Sequence, residues 1–267
     1  MRWERTGSQA ASVAAVERTV LATAPGAAVR LYCLPPAGAG PEFFQGWAGH
    51  LPAGVELCSL SLPGRGERRN EPSLTDAECL SARIAAVVDD WADPRPFALF
   101  GHSVGALLAF ETTRHLRRRR GRLPVLLGLS ALAAPHLNAY TAALPSCLTT
   151  GLDGLANLVG GPIPQHLVDD PQLMAAACTP LLADALLLLQ YRHRTEEPLD
   201  VPLALFGGTQ DPLTPLADLR AWNDLVTVPA EPRLFPGAHM YPAQEVAGLA
   251  GEVVRCLDAV APMAALA

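Results

Sequence analysis

Lysine is absent: all 20 basic side chains are arginine. Set beside abundant alanine, 22 glycines and 25 prolines, this reads as compositional bias and carries no functional assignment. Paired cysteines are missing too. Cys33, Cys58, Cys79, Cys147, Cys178 and Cys256 include no C-x-x-C pair, so the spacing excludes a zinc or disulfide framework. Several lie in apolar runs, where cysteine behaves as a small hydrophobe, and free thiols in a reducing cytoplasm are expected. Positive charge is not in excess. The formal net charge is −6, which argues against nucleic acid as a partner. Ala10 to Val16 is too short for a signal peptide and runs at once into Glu17 and Arg18. No run reads as long and charge-free enough to cross a membrane, and Ala183 to Leu189 is expected to be a buried helix segment.

What remains is a chain of 267 residues, 50% apolar, sufficient for one large α/β domain or a core with an insertion. It is organised around Phe97-Ala98-Leu99-Phe100-Gly101-His102-Ser103-Val104-Gly105-Ala106. A short apolar run ends in Gly-x-Ser-x-Gly and a helical pattern follows, which is the layout of a nucleophile elbow. Ser103 would sit on a strained turn with its Oγ lifted clear of the sheet. Side chains at Gly101 or Gly105 would collide with the neighbouring strand and helix. The Val104 amide, at a helix N-terminus, would face any oxyanion formed beside Ser103.

Taken in order, Met1 to Gly26 reads as a loose leader, with a possible short helix from Ala10 to Val20. Val29 to Leu34 alternates like a strand and enters Pro35-Pro36-Ala37-Gly38-Ala39-Gly40. That loop falls where a second oxyanion donor is kept in hydrolases built on such an elbow. Both prolines lack an N–H, so Ala37 is the first residue able to donate, and its amide is assigned as partner of the Val104 amide. Pro41 to His50 reads as a helix with Phe44 and Trp47 on one side. Val55 to Leu62 is a strand, followed by a charged, glycine-rich loop through Arg65, Arg68 and Arg69 that is expected to be solvated. Leu74 to Trp91 is a helix ended by Pro94 and Pro96. The elbow helix closes in Arg117-Arg118-Arg119-Arg120-Gly121-Arg122. There, basic charge suits the dipole and Gly121 suits the C-cap; a patch for an acidic partner protein is the alternative.

Val125 to Leu132 is another strand, after which the β/α alternation stops. Residues 135–194 form helix-like pieces rich in leucine, among them Leu144, Leu148, Leu152, Leu155 and Leu158. Such an insertion reads as a helical lid over an apolar acyl site. The core resumes with Val201 to Gly208, which delivers Asp211. Leu216 to Leu225 is a helix, Pro232 to Phe235 a strand that delivers His239, and Ala243 to Val260 the closing helix. Alternating elements imply a mainly parallel sheet with sites at the carboxyl ends of its strands.

A serine hydroxyl needs a base, and the base needs a carboxylate to hold its tautomer. Ser103, Asp211 and His239 occur in the order used by α/β-hydrolases. Among seven histidines only His239 follows a late core strand in a glycine-containing loop; among the acids Asp211 alone follows a strand directly, with Asp184 the reserve. The chain thus divides into a leader at 1–28, an α/β-hydrolase core at 29–134 and 195–267, and the insertion at 135–194.

These residues, with Trp47, Leu62-Pro63-Gly64-Arg65, Ala134-Pro135-His136, Tyr191-Arg192, Pro202, Gly207-Gly208 and Phe235-Pro236-Gly237-Ala238-His239, together resemble the type II thioesterases that accompany polyketide synthases and nonribosomal peptide synthetases. The resemblance implies an enzyme that stands free of the synthase; a cytoplasmic monomer without cofactor is expected. Its substrate would be an acyl group on the phosphopantetheine arm of an acyl or peptidyl carrier protein, its role the removal of stalled or wrong groups, and residues 135–194 its lid. Gly-Ala-His-Met-Tyr departs from the usual Gly-Gly-His with following aromatics, and Leu132-Ala133-Ala134 lacks a common basic residue. A general serine esterase or a product-releasing acyl transferase on the same fold is the competing reading, and a non-catalytic binding protein a third.

Overall fold

The computed structural model describes residues 15–139, 153–154, 156 and 162–261. Leu144, Leu148, Leu152, Leu155 and Leu158 of the expected lid, Cys147, and the first 14 residues of the expected leader lie outside them.

Seven strands form one sheet in the order β1-β3-β2-β4-β5-β6-β7. They are β1 (Glu17–Ala22), β2 (Val29–Leu34), β3 (Val55–Ser61), β4 (Phe97–His102), β5 (Leu127–Ser130), β6 (Leu203–Gly208) and β7 (Arg233–Phe235). All pairings are parallel except β1 on β3. The central strands β2 and β4 are buried at every position, as their near-continuous apolar sequences require when helices cover both faces. One face carries α1 (Ala77–Val88) and α2 (Val104–Arg118), packed with Trp222. The other carries the 3-10 helix Pro41–His50 and the C-terminal helix Val246–Val260, with Phe44, Trp47 and Tyr241 beneath them.

Four expectations need correction. Glu17–Ala22 is not part of a loose leader or a helix but an edge strand, with Thr19 opposite Ser59. A β-branched pair, Thr19-Val20, and a free antiparallel edge on β3 outweigh the weak alanine-rich helical signal. The Pro41–His50 helix has 3-10 geometry, and the expected Leu216 to Leu225 helix is a short α-helix, Leu216–Arg220, continued by a 3-10 turn. The left-handed residue ending α2 is Arg120 (φ 56°) and not Gly121. The Gly121 amide instead closes the cap on the Leu116 carbonyl at 2.9 Å, and the Arg120 amide reaches Arg117 O at 3.0 Å, which is a Schellman arrangement shifted one residue from the glycine.

Between β5 and β6 the chain leaves the sheet. Its longest described element there is the helix Pro171–Gln190, preceded by the short helix Gln165–Val168. The numbering α3 for Gln165–Val168, α4 for Pro171–Gln190, α5 for Leu216–Arg220 and α6 for Val246–Val260 follows. By length and composition α4 is apolar enough to cross a membrane, contrary to the expectation that no stretch is. Its second half nevertheless packs on the core through Leu181, Ala185, Leu187 and Leu188, and Asp184 within it is fully buried. Leu182 and Leu186 on the opposite side are exposed, so Ala183 to Leu189 is buried on one face only.

Two arginines of the run, Arg117 and Arg118, are held by the same region, together with Arg114 about one turn earlier. Arg114, Arg117 and Arg118 all pair with Glu196, at 2.6, 2.7 and 2.8 Å. Arg114 and Arg117 also donate to the carbonyls of Arg194 and Glu197. These side chains clamp the chain on its way back to β6. A helix of 15 residues also carries Arg117 and Arg118 roughly 22 Å from Ser103, toward the opposite end of the sheet.

Candidate active site

The strand order reverses between β2 and β4. From β2 the chain turns toward β3, and from β4 toward β5. In an open α/β sheet the loops leaving such neighbours diverge and leave a crevice at the carboxyl ends. Ser103 and the Pro35–Gly40 loop occupy this crevice.

Ser103 has φ 55° and ψ −124°, a conformation that an L-residue holds only when its surroundings over-determine it. They do so here: its amide donates to Ser130 O and its carbonyl accepts from the Ala106 amide, both at 2.8 Å. The flanking glycines permit the close approach. A Cβ at Gly101 would lie 2.1 Å from Gly105 O, and one at Gly105 would lie 2.3 Å from Leu34 O. The elbow is thus wedged between α2 and the end of β2.

Asp211 follows β6 and His239 follows β7. Their loops are stitched together by Thr209 N to Phe235 O (2.8 Å) and Gln210 N to Gly237 O (2.9 Å). His239 Nδ1 lies 2.9 Å from Asp211 Oδ2 and its Nε2 lies 3.0 Å from Ser103 Oγ. A carboxylate can only accept, so Nδ1 carries the proton and Nε2 accepts from the serine hydroxyl. The side chains of His239 and Asp211 are 5% and 1% exposed, which keeps water from competing for these bonds. Asp211 Oδ1 is held in turn by the Leu213 amide at 2.8 Å.

Leu34 is paired with Gly101. Ala37 and Val104 therefore stand equally far beyond the last pair of β2 and β4, on adjacent loops. Among the described residues neither amide donates to a protein acceptor, whereas Gly38 N is engaged by Asp184 Oδ2 at 2.8 Å and Ala39 N by Pro36 O at 3.1 Å.

The reserve acid, Asp184, is not the carboxylate bonded to His239 Nδ1, a place taken by Asp211. Asp184 receives both terminal nitrogens of Arg65, each at 2.8 Å. Arg65 therefore does not belong to a solvated loop; its side chain is 1% exposed. The two partners are 119 residues apart, and each looks ordinary in its local sequence. Two other histidines serve elsewhere: His136 meets Asp224 at 3.2 Å, and His193 stacks on Phe110.

A buried polar chain below the site also escaped sequence reasoning. Tyr241 Oη lies 2.6 Å from Ser130 Oγ, which lies 2.8 Å from His102 Nδ1. Burial and then the neighbouring His239 push the His102 pKa well down, and burial pushes the Tyr241 phenol up. Both groups are neutral at physiological pH, so neither places a competing charge under the His239 ring, 5.3 Å from that of His102. The departure His239-Met240-Tyr241 was the available signal, since Tyr241 also stacks on Phe235.

The sequence model of the thioesterase domain family matches residues 29–259. Thioesterase PikA5 of Streptomyces venezuelae is 35% identical over 223 residues, which cover 82% of this chain and 77% of the relative. The gramicidin S biosynthesis protein GrsT of Aneurinibacillus migulanus is 31% identical, covering 80% and 83%. Among solved structures, YbtT, a type II thioesterase from a yersiniabactin NRPS/PKS pathway, superposes with a TM-score of 0.75 at 28% identity, covering 89% of this chain and 96% of its own. RedJ, a thioesterase of the prodiginine pathway in Streptomyces coelicolor, does so at 0.75 and 28%, covering 88% and 92%.

Proposed function

The chain belongs to the thioesterase family, and from that premise we propose that it is a stand-alone type II thioesterase that hydrolyses stalled or aberrant acyl groups from carrier proteins of polyketide or nonribosomal peptide assembly. The observation that carries this reading is the continuous hydrogen-bonded series Ser103 Oγ, His239 Nε2, His239 Nδ1, Asp211 Oδ2 at the head of an elbow helix. It occurs in a chain whose relatives include a type II thioesterase of a mixed assembly line.

In the proposed reaction Ser103 Oγ attacks the thioester carbonyl as His239 Nε2 takes its proton. The amides of Ala37 and Val104 hold the resulting oxyanion. Collapse of the tetrahedral intermediate breaks the C–S bond, and the thiol of the phosphopantetheine arm leaves with the proton from His239. Water then gives its proton to His239 and attacks the acyl-serine, and the free acid departs as Ser103 recovers its hydrogen. Asp211 holds the Nδ1–H tautomer and stabilises the imidazolium in both halves. These steps are complete with the chain's own side chains and water, so the reading assigns no cofactor. Residues 135–194, including the leucine-rich α4, are assigned as the cover that shields the acyl chain and excludes water during acylation.

The test is an acid quench of enzyme mixed with acyl carrier protein, followed by intact mass and peptide mapping. The acyl mass is expected on the peptide containing Ser103 and absent from Ser103→Ala. An acyl adduct elsewhere, or hydrolysis retained by Ser103→Ala, would refute the assignment.

A further inference from the structure

The Pro35–Gly40 loop has few ways to present an amide. Pro35 and Pro36 have none to offer. The Gly38 amide is taken by Asp184 at 2.8 Å and the Ala39 amide by Pro36 O. Gly38 is left-handed, with φ +74°, and a Cβ there would lie 3.2 Å from Leu181 Cβ and 3.3 Å from Leu181 Cα. Helix α4 is therefore pressed against the backbone of this loop. Its Asp184, fully buried, accepts one bond from the loop and two from Arg65, at the end of the β3 connection. One carboxylate thus ties three segments that are far apart in sequence.

A buried ion pair is weak evidence for stability, because well-packed apolar residues often serve as well. Its distinctive effect here is geometric. By drawing the Gly38 N–H toward α4, it leaves the preceding amide, Ala37, as the first N–H after the two prolines and without a protein acceptor among the described residues. The geometry points to Asp184 and Arg65 as positioning residues for the acyl-transfer site: they set the Ala37 amide for the oxyanion, and only while α4 is docked. The inference deepens the proposed function and rests on its oxyanion assignment. It implies that the hydrolytic site is completed by the inserted segment itself, so an enzyme with α4 lifted would hold its serine, histidine and aspartate but lack one oxyanion donor.

The experiment compares wild type, Asp184→Asn, Asp184→Ala and the double variant Arg65→Met with Asp184→Leu. The last removes both charges together, so no unpaired buried charge threatens the fold. Rates are taken on a short acyl thioester without carrier protein and normalised to sites counted by end-point labelling with a fluorophosphonate. Two inhibitors are measured alongside. An acyl trifluoromethyl ketone forms a tetrahedral adduct on the serine; a non-hydrolysable thioether reports ground-state binding. The expected result is a kcat per labelled site lowered about 10- to 100-fold in every variant, the scale of a displaced or lost oxyanion donor. KM and thioether affinity should hold, and ketone affinity should fall by the factor lost in kcat. A merely structural role would reduce the number of labelled sites and leave kcat per site and ketone affinity alone. That result, or wild-type kcat in the double variant, would overturn the inference. The carrier reading fails separately, if wild type prefers oxygen esters; the same comparison then runs on the preferred ester.

Discussion

Replacing Gly105 with alanine tests the elbow with a single methyl group. The new Cβ would stand 2.3 Å from Leu34 O and 2.8 Å from both Leu34 C and Pro35 O, about 1 Å short of ordinary contact. These obstacles are backbone atoms of the central strand, so no side chain can swing aside; the first turn of α2 must move away from β2. That turn carries the Val104 amide, and the loop it moves from carries the Ala37 amide. A misplacement of about 1 Å in a positioned group costs on the order of 100-fold in rate, equivalent to about 2.7 kcal/mol of transition-state stabilisation. Overpacking adds roughly 1–3 kcal/mol of lost stability. Steady-state kinetics per labelled site and urea unfolding should show kcat down about 100-fold, KM little changed and the midpoint lowered. Gly251→Ala is the internal control: it lies in α6 with nothing within 4 Å of its Cβ. It should keep wild-type kinetics and gain about 0.5–1 kcal/mol of stability. A folded Gly105→Ala enzyme with wild-type kcat would show that the separation between α2 and β2 does not set the oxyanion donors.

Three further outcomes are expected. Asp211→Asn should retain the fold and substrate binding and lose roughly 10,000-fold in kcat, because the amide can settle the imidazole in the wrong tautomer; a loss under tenfold in steady-state kinetics would contradict this. Burial alone would raise the pKa of Glu196, yet hydrogen bonds from Arg114, Arg117 and Arg118 hold it down to about 2, against an ordinary 4.5. Its contribution is therefore fully present above about pH 4.5 and disappears as pH falls toward 2. Glu196→Gln should lower the urea midpoint at pH 7 and flatten that acid stretch of the stability curve, and an unchanged curve would refute the clamp. Trp47, 1% exposed and packed on Phe44 and Phe100, should cost about 3–5 kcal/mol when replaced by alanine, read by urea unfolding.

The elbow was legible because its determinants are local: an apolar run, a glycine on each side of the serine, and a helix behind. Positions at strand ends are similarly local, and the structure brings Ser103, Asp211 and His239 into hydrogen-bond contact. What escaped was long-range. Arg65 sits among glycines and charges, so its loop reads as solvated; only the fold brings it to Asp184, itself hidden in a run of leucines. The arginine run read as dipole and cap chemistry, with a docking patch as the alternative, because Glu196, the partner of Arg117 and Arg118, lies about 80 residues away and the pairing has no local trace. Glu17–Ala22 is a strand only because β3 offers it an edge. Gly121 drew the cap assignment by type, whereas the hydrogen-bond register put Arg120 in the left-handed position.

The central claim is that this active site serves acyl thioesters on carrier proteins. The most direct measurement is kcat/KM for one acyl group presented three ways: on a holo carrier protein, on a short free thioester and on an oxygen ester, each with wild type and Ser103→Ala. A Ser103-dependent preference for the carrier-bound thioester is the predicted result. Equal or faster turnover of the oxygen ester would contradict it and leave a general esterase on a thioesterase fold.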